Sequence, residues 1–245
     1  MSEQELPKTE QAENAAPAEK STKKPKTKKK LGIVVAVIVV VVAVAGVGFW
    51  KWHETPEFCA AICHFQDPYL EGYQQEQNTA GVDKYGNQVS NTNAMMSTLH
   101  RTTQTQVWTT IACMDCHHPV IAQQISEGIT WVSGNYYDPL TEKTTADLTH
   151  WEGTVEDAFC ANANCHAYLV GEDGMVDRDK LEKTTWSLDF NPHSTHHEGI
   201  QPSCTECHKG HRASVNMCTA CHDEATLPAG WISYQESADL MSKVF

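Results

Sequence analysis

Residues 203–222 read SCTECHKGHRASVNMCTACH, and this stretch limits the kinds of fold open to the chain. It holds two cysteine pairs, Cys204/Cys207 and Cys218/Cys221, each followed at once by a histidine, His208 and His222. Working outward, the same pattern recurs at Cys113/Cys116 with His117, at Cys160/Cys165 with His166 and at Cys59/Cys63 with His64, which uses all ten cysteines of the chain. In a C-x-x-C-H site both thiols add to the vinyl groups of one haem and the adjacent histidine binds its iron. Histidine is 13 of 245 residues, so its presence after all five pairs has chance odds below about one in a million. Zinc sites and disulfides also use paired cysteines, but neither explains the histidine. The expectation is five haem c groups with proximal ligands His64, His117, His166, His208 and His222.

The remaining histidines bear on what such irons could do. His53, His100, His118, His150, His193, His196, His197 and His211 are enough to give every iron a second imidazole. An iron so ligated has no open position for substrate and is suited to electron transfer. His100, His150 and His211 stand apart from other histidines and are first candidates as distal ligands, with His193, His196 or His197 supplying more. His118 follows a proximal ligand directly and is poorly placed for the same iron. Met95 and Met96 are open as thioether ligands, with packing the alternative. Only nine residues lie between His208 and Cys218, so the last two haems are expected close together.

Toward the N-terminus, Leu31 to Trp50 reads LGIVVAVIVVVVAVAGVGFW, twenty residues without a charge. At about 1.5 Å per helical residue this matches the roughly 30 Å hydrocarbon core of a bilayer. A cleaved signal peptide, with Ala43-Val44-Ala45 as the small-residue site, is the competing reading; the run exceeds the usual signal core. Residues 1–30 hold eight Lys and five Glu and too little apolar matter to bury a core, which predicts a disordered basic tail. By the positive-inside rule the tail lies in the cytoplasm, 31–52 span the membrane once, and 53–245 form the extracytoplasmic haem domain. Trp50 and Trp52 mark the outer interface.

The net charge of -13 divides into +3 for residues 1–30 and -16 beyond them, and so acidic an exposed domain argues against nucleic-acid binding. It suits a basic patch on a protein partner, or simple solubility. Residues 53–245 show short helix-compatible pieces, such as Met95–Thr110 and Asp179–Leu188, and no sustained strand alternation. Glu71–Asn93 reads as a polar surface insertion. The fold class expected is mainly α with much irregular structure, the macrocycles forming much of the core.

With these features in view, the chain resembles the NapC/NirT/NrfH family of membrane-anchored multihaem quinol dehydrogenases. The likeness rests on TPEFCAAICH after the apolar run, STLHRTTQTQVWTTIACMDCHHP around the second motif, VEDAFCANANCH at the third and HSTHHEGIQPSCTECHKGH at the fourth. It covers the apolar run and roughly residues 53–212. The wider cysteine gaps of the first and third motifs are known in multihaem cytochromes. The resemblance implies a cell-membrane protein that oxidises quinol, menaquinol or a similar one, near the first haem and passes electrons to an extracytoplasmic reductase. Self-association into a homo-oligomer is an open alternative. Family members usually carry Met two residues after the first motif's histidine, where this chain has Gln66; the first haem's second ligand is left open among His53, Met95 and Met96. The fifth motif is an addition to a four-haem core, and the histidine after C-H-K-G usually lies two residues beyond His211. A quinol site near Trp50–Tyr69 has Glu57 and Asp67 as candidate proton acceptors, each with a plain surface role as the alternative. Two other functions remain open: a terminal reductase acting at an open iron, which lacks its best-known mark, C-x-x-C-K; and a passive extracellular conduit.

Overall fold

A computed structural model describes residues 26–62, 68–103, 110–118, 120–136, 141–150, 153–154, 156–194 and 202–245. The chain divides into two units, residues 1–48 and 49–245. Helix α1 (Lys26–His53) carries the apolar run. Its stretch Lys30–His53 is long and apolar enough to cross a bilayer, and none of it is buried against protein, as holds for a membrane anchor or a signal sequence. β-branched valines are mediocre helix formers in water, but a backbone in hydrocarbon must satisfy its own hydrogen bonds, which a helix does.

The second unit is a succession of short helices joined by irregular segments. They are α2 (Pro56–Ile62), α3 (Pro68–Gln74), α4 (Met96–Arg101), α5 (Cys113–Cys116), α6 (Ile121–Val132) and α7 (Thr145–Thr149). After them come α8 (Glu156–Cys160), α9 (Arg178–Thr184), α10 (Cys204–Cys207) and α11 (Tyr234–Val244). The strands are two residues each: β1 (Gly81–Val82) pairs antiparallel with β2 (Gln88–Val89), and β3 (Val215–Asn216) pairs parallel with β4 (Ile232–Ser233). The mainly helical, irregular class read from the sequence is the class observed. Of the expected helical piece 95–110, Met96–Arg101 is helical and 104–109 lie outside the described residues; of the piece at 179–188, residues 179–184 are helical and 185–188 are not.

The hydrophobic core is small. Val89, Ala94, Met95 and Ala213 form its buried centre, with Trp231 and Ile232 packed on it. Protein of this size ordinarily buries far more apolar surface, which fits a chain whose interior is meant for other matter. The core still has a purpose, because it locks residues 209–214 across 94–97. Met96 and Ser97 donate backbone N–H groups to the carbonyls of Lys209 and Gly210 (2.9 and 3.0 Å), and Ser214 donates to Ala94 (3.0 Å). His211 is thereby fixed, its carbonyl accepting from Lys84 N–H at 3.0 Å.

The stretch 71–93 is not the plain surface insertion its polarity suggests. It folds as a hairpin whose turn is held by the buried Asp83 carboxylate, which accepts from the N–H groups of Tyr85 and Asn87 at 2.8 and 2.9 Å. It also contributes Val89 and Thr92 to the interior. Polar composition misled here because these side chains satisfy backbone groups rather than water.

Candidate functional site

Each motif with described side chains is built around one recurring turn. In α5 and α10 the first cysteine opens a single helical turn, and the acid three residues after the cap closes it. Asp115 accepts from Ala112 N–H at 2.7 Å, and Glu206 from Ser203 N–H at 2.8 Å. The histidine N–H then donates to the first cysteine's carbonyl, at 2.8 Å in His117→Cys113, His208→Cys204 and His222→Cys218. The wide third motif reaches the same end by another route. Asn162 Oδ1 accepts from the N–H groups of Asn164 and Cys165 (2.9 and 3.1 Å), folding the extra residues into an Asx turn. His166 N–H then reaches Cys160 O at 3.2 Å. The four-residue gap therefore presents its histidine as the two-residue gaps do. In the first motif, α2 carries Cys59, whose side chain is not described, and Cys63 and His64 lie outside the described residues.

The described cysteines and histidines of motifs two to five all line one cavity of about 2690 Å³, several times the roughly 300–1,000 Å³ of an ordinary ligand pocket. Three pairs of imidazoles face one another there. His117 and His211 have ring centres 6.2 Å apart with planes at 20°; His193 and His208 are 6.3 Å apart at 22°; His100 and His166 are 6.2 Å apart at 88°. Two imidazoles on opposite sides of one metal, each bonded at about 2.0 Å through a nitrogen about 1.1 Å from its ring centre, stand about 6.2 Å apart. The pairs thus have the spacing an iron needs between them.

Hydrogen bonds orient two of these rings. His100 Nδ1 donates to Met96 O at 2.8 Å. His193 Nδ1 donates to Thr185 Oγ1 at 3.0 Å, while Thr185 donates to Asn191 Oδ1 at 2.6 Å. Placing the proton on Nδ1 leaves Nε2 as the free electron pair, as second-shell partners of metal-bound histidines do. Loss of solvation pushes the pKa of His117, His166 and His193 down, and that of His208 to about 4, the direction that favours the neutral imidazole a metal would need. Burial also pushes the Cys116 thiol up to about 11 and raises Cys207 and Cys218; Cys160 is raised first by its hydrogen bond with Cys204 and then by burial.

Not every candidate is brought in. His150 is exposed at the C-terminal end of α7 and does not line the cavity. His196, His197, Gln66 and Asp67 lie outside the described residues. Glu57 is exposed, its carboxylate accepting from Gln74 Nε2 at 3.3 Å. His118 is exposed, with its ring against Asp115 O at 2.9 Å. His53 stacks on Trp50 with ring centres 5.8 Å apart and borders the cavity. Met95 is fully buried in the core, which gives it the packing role, whereas Met96 lines the cavity. The ring nearest His222 among those described is Phe190, 5.0 Å away.

Sequence reasoning missed the polar cluster beside His211. Arg212 is buried and its guanidinium forks onto both carboxylate oxygens of Glu142, with Lys209 3.3 Å from the same carboxylate. Burial would raise Glu142, but Arg212, Lys209 and Lys84 outweigh it and hold its pKa below the ordinary value. Burial likewise lowers Lys84 to about 8. Seventy residues separate Glu142 from Arg212, so no local pattern could have paired them; the Asn-x-Asn inside the third motif, by contrast, was a readable turn signal.

The other readings of paired cysteines lack their geometry. Among the described residues no disulfide joins the cysteines of motifs two to five, and no three His, Cys, Asp or Glu side chains converge as a zinc site needs. The paired imidazoles, the repeated turn and the cavity fit haem. A family model for cytochrome c3 matches residues 141–223, including the fifth motif. The cytochrome c-type protein Cgr1 of Eggerthella lenta is 49% identical over 194 residues, covering 79% of this chain and 82% of that protein. No solved structure matches. The chain belongs to the multihaem c-type cytochromes and carries a cytochrome c3-type domain, an electron-transfer protein that holds haem c.

Proposed function

We propose that the chain is a membrane-anchored pentahaem cytochrome of the NapC/NirT/NrfH type, which oxidises membrane quinol, menaquinol by preference, and delivers the electrons to an extracytoplasmic reductase. Five haem c groups are assigned to the five motifs. Proximal ligation falls to His64, His117, His166, His208 and His222, with distal pairing His211 to His117, His100 to His166 and His193 to His208. The observation that carries the reading is the set of three facing imidazole pairs at 6.2–6.3 Å. Haem, when bound, supplies reversible one-electron iron chemistry, and two imidazoles on an iron leave it no site for substrate. This favours relay over terminal reduction.

The chain's own part is positioning. Cys160 meets Cys204, and Cys116 and Cys207 interact electrostatically with Cys165 and Cys218. Attachment points of successive motifs therefore adjoin in chain order from the second to the fifth, which suits a relay. Trp50, His53 and Phe58 border the same cavity, and the apolar stretch Lys30–His53 ends among them. That supports donation from a lipid-dissolved quinol on the outer side, with the basic tail inside the cell. Purified protein in detergent should be reduced by a menaquinol analogue to the extent that dithionite reduces it. Full reduction by dithionite with none by the quinol would remove the donor half of the proposal.

A further inference from the structure

Helix α6 is amphipathic in the wrong direction for a soluble protein. Its polar side chains Gln123, Gln124, Glu127 and Thr130 line the cavity. Its aliphatic residues point outward: Ile125, Ile129 and Val132 are 57%, 65% and 79% exposed and do not border the cavity, and no residue of the helix is buried. At about 100° per residue these three fall within about 60° of one another on the helix circumference, beside Ile121, which stands at the edge of the cavity. An ordinary surface helix turns such a stripe inward, so the stripe calls for an apolar occupant outside the fold.

We propose that the outward face of α6 is a membrane-contact surface, with Ile125, Ile129 and Val132 resting in the interfacial zone of the phospholipid bilayer that α1 crosses. This rests on the reading of Lys30–His53 as an anchor. Three observations select lipid over a protein occupant. The face is neutral: the helix's one charge, Glu127, lies on the cavity side and pairs with Lys143 at 3.2 Å. A protein docking on this acidic part of the chain would be expected to use basic groups, and the stripe offers them nothing. The haem-bearing unit begins at Phe49, inside α1 itself, so no stretch of chain outside the helix separates it from the apolar run. Finally, Phe49, Trp50 and His53 border the same cavity as α6, and so do Trp131 and Tyr136 toward its C-terminal end, so this side of the unit is rich in the aromatic rings that interfacial segments carry. α6 then forms a wall of the haem cavity with lipid on its other side, beside the place where a lipid-dissolved quinol would arrive.

The test uses the full-length holoprotein in nanodiscs of phosphatidylcholine and phosphatidylglycerol carrying a photoactivatable acyl chain, with labelled peptides mapped by mass spectrometry. Label is expected on 30–53 and on 121–132. In Ile125→Glu/Ile129→Glu the 121–132 label should fall about tenfold, with label on 30–53 and the haem absorption spectrum unchanged. Label on 30–53 alone overturns the proposal and leaves the anchor standing. Label on neither overturns both. Protection of 121–132 with cross-links to the same helix of a second copy also overturns it, in favour of self-association.

Discussion

His100 shows how much one residue can be asked to do. Its Nδ1 is committed to Met96 O and its ring faces His166 at 6.2 Å, so the side chain is held in the tautomer that the proposed ligand role requires. His100→Ala should convert one low-spin haem to high spin in the electronic and EPR spectra, with the haem count unchanged; an unaltered spectrum removes His100 from the ligand set. Glu142 is the second informative position, because one carboxylate answers Arg212 and Lys209 in a mostly buried place. Glu142→Gln should cost about 2–3 kcal/mol, toward the low end for breaking a buried pair because the side chain keeps some solvent. Its pKa is lowered in the fold, so its stabilisation is present above the ordinary carboxyl range and lost as pH falls through the lower folded value. Thermal melts of wild type and variant should therefore differ clearly at pH 7 and converge in acid.

At the scale of elements, the short helices hold because hydrogen bonds and close backbone approaches replace a large apolar interior. The crossing of 94–97 by 209–214 and the approach of Gly230 to Asn91 are examples. Gly230 has φ of +81°, and a Cβ there would stand 2.3 Å from Asn91 O. Gly230→Ala combines left-handed strain with a backbone clash and should destabilise by about 2–3 kcal/mol, read as a lower melting temperature of the holoprotein. A change within about 0.5 kcal/mol would mean that the 228–232 turn relaxes freely. The Asx turn at Asn162 works at the same scale, because it lets a wide cysteine gap reproduce the histidine placement of the narrow ones.

At the scale of the whole molecule, the small core and the large cavity are two sides of one fact. With so little apolar matter buried among the described residues, stability is expected to depend on what fills the cavity. Intact-mass measurement of the holoprotein should show five haem additions; four would point to the first motif, and three would count against both wide ones. Protein matured without haem attachment should lack a cooperative unfolding transition, and a sharp melt from that material would contradict the account.

What the amino-acid sequence determined alone was whatever depends on neighbours along the chain. The cysteine pairs with their histidines, the uncharged run, the basic tail and the absence of strand alternation were all legible, because motif spacing, run length and short helices are matters of local sequence and composition. The pairing of imidazole rings was not legible. His211 meets His117 and His100 meets His166 across 94 and 66 residues, and eight histidines offered many equivalent assignments. His150 stood apart as well as His100 did, yet only the fold shows it exposed. Met95 and Met96 were alike on paper, and the tertiary structure alone buried one in the core and turned the other to the cavity. Such choices depend on which segments pack together, and burial and facing geometry exist only once the chain has closed on itself.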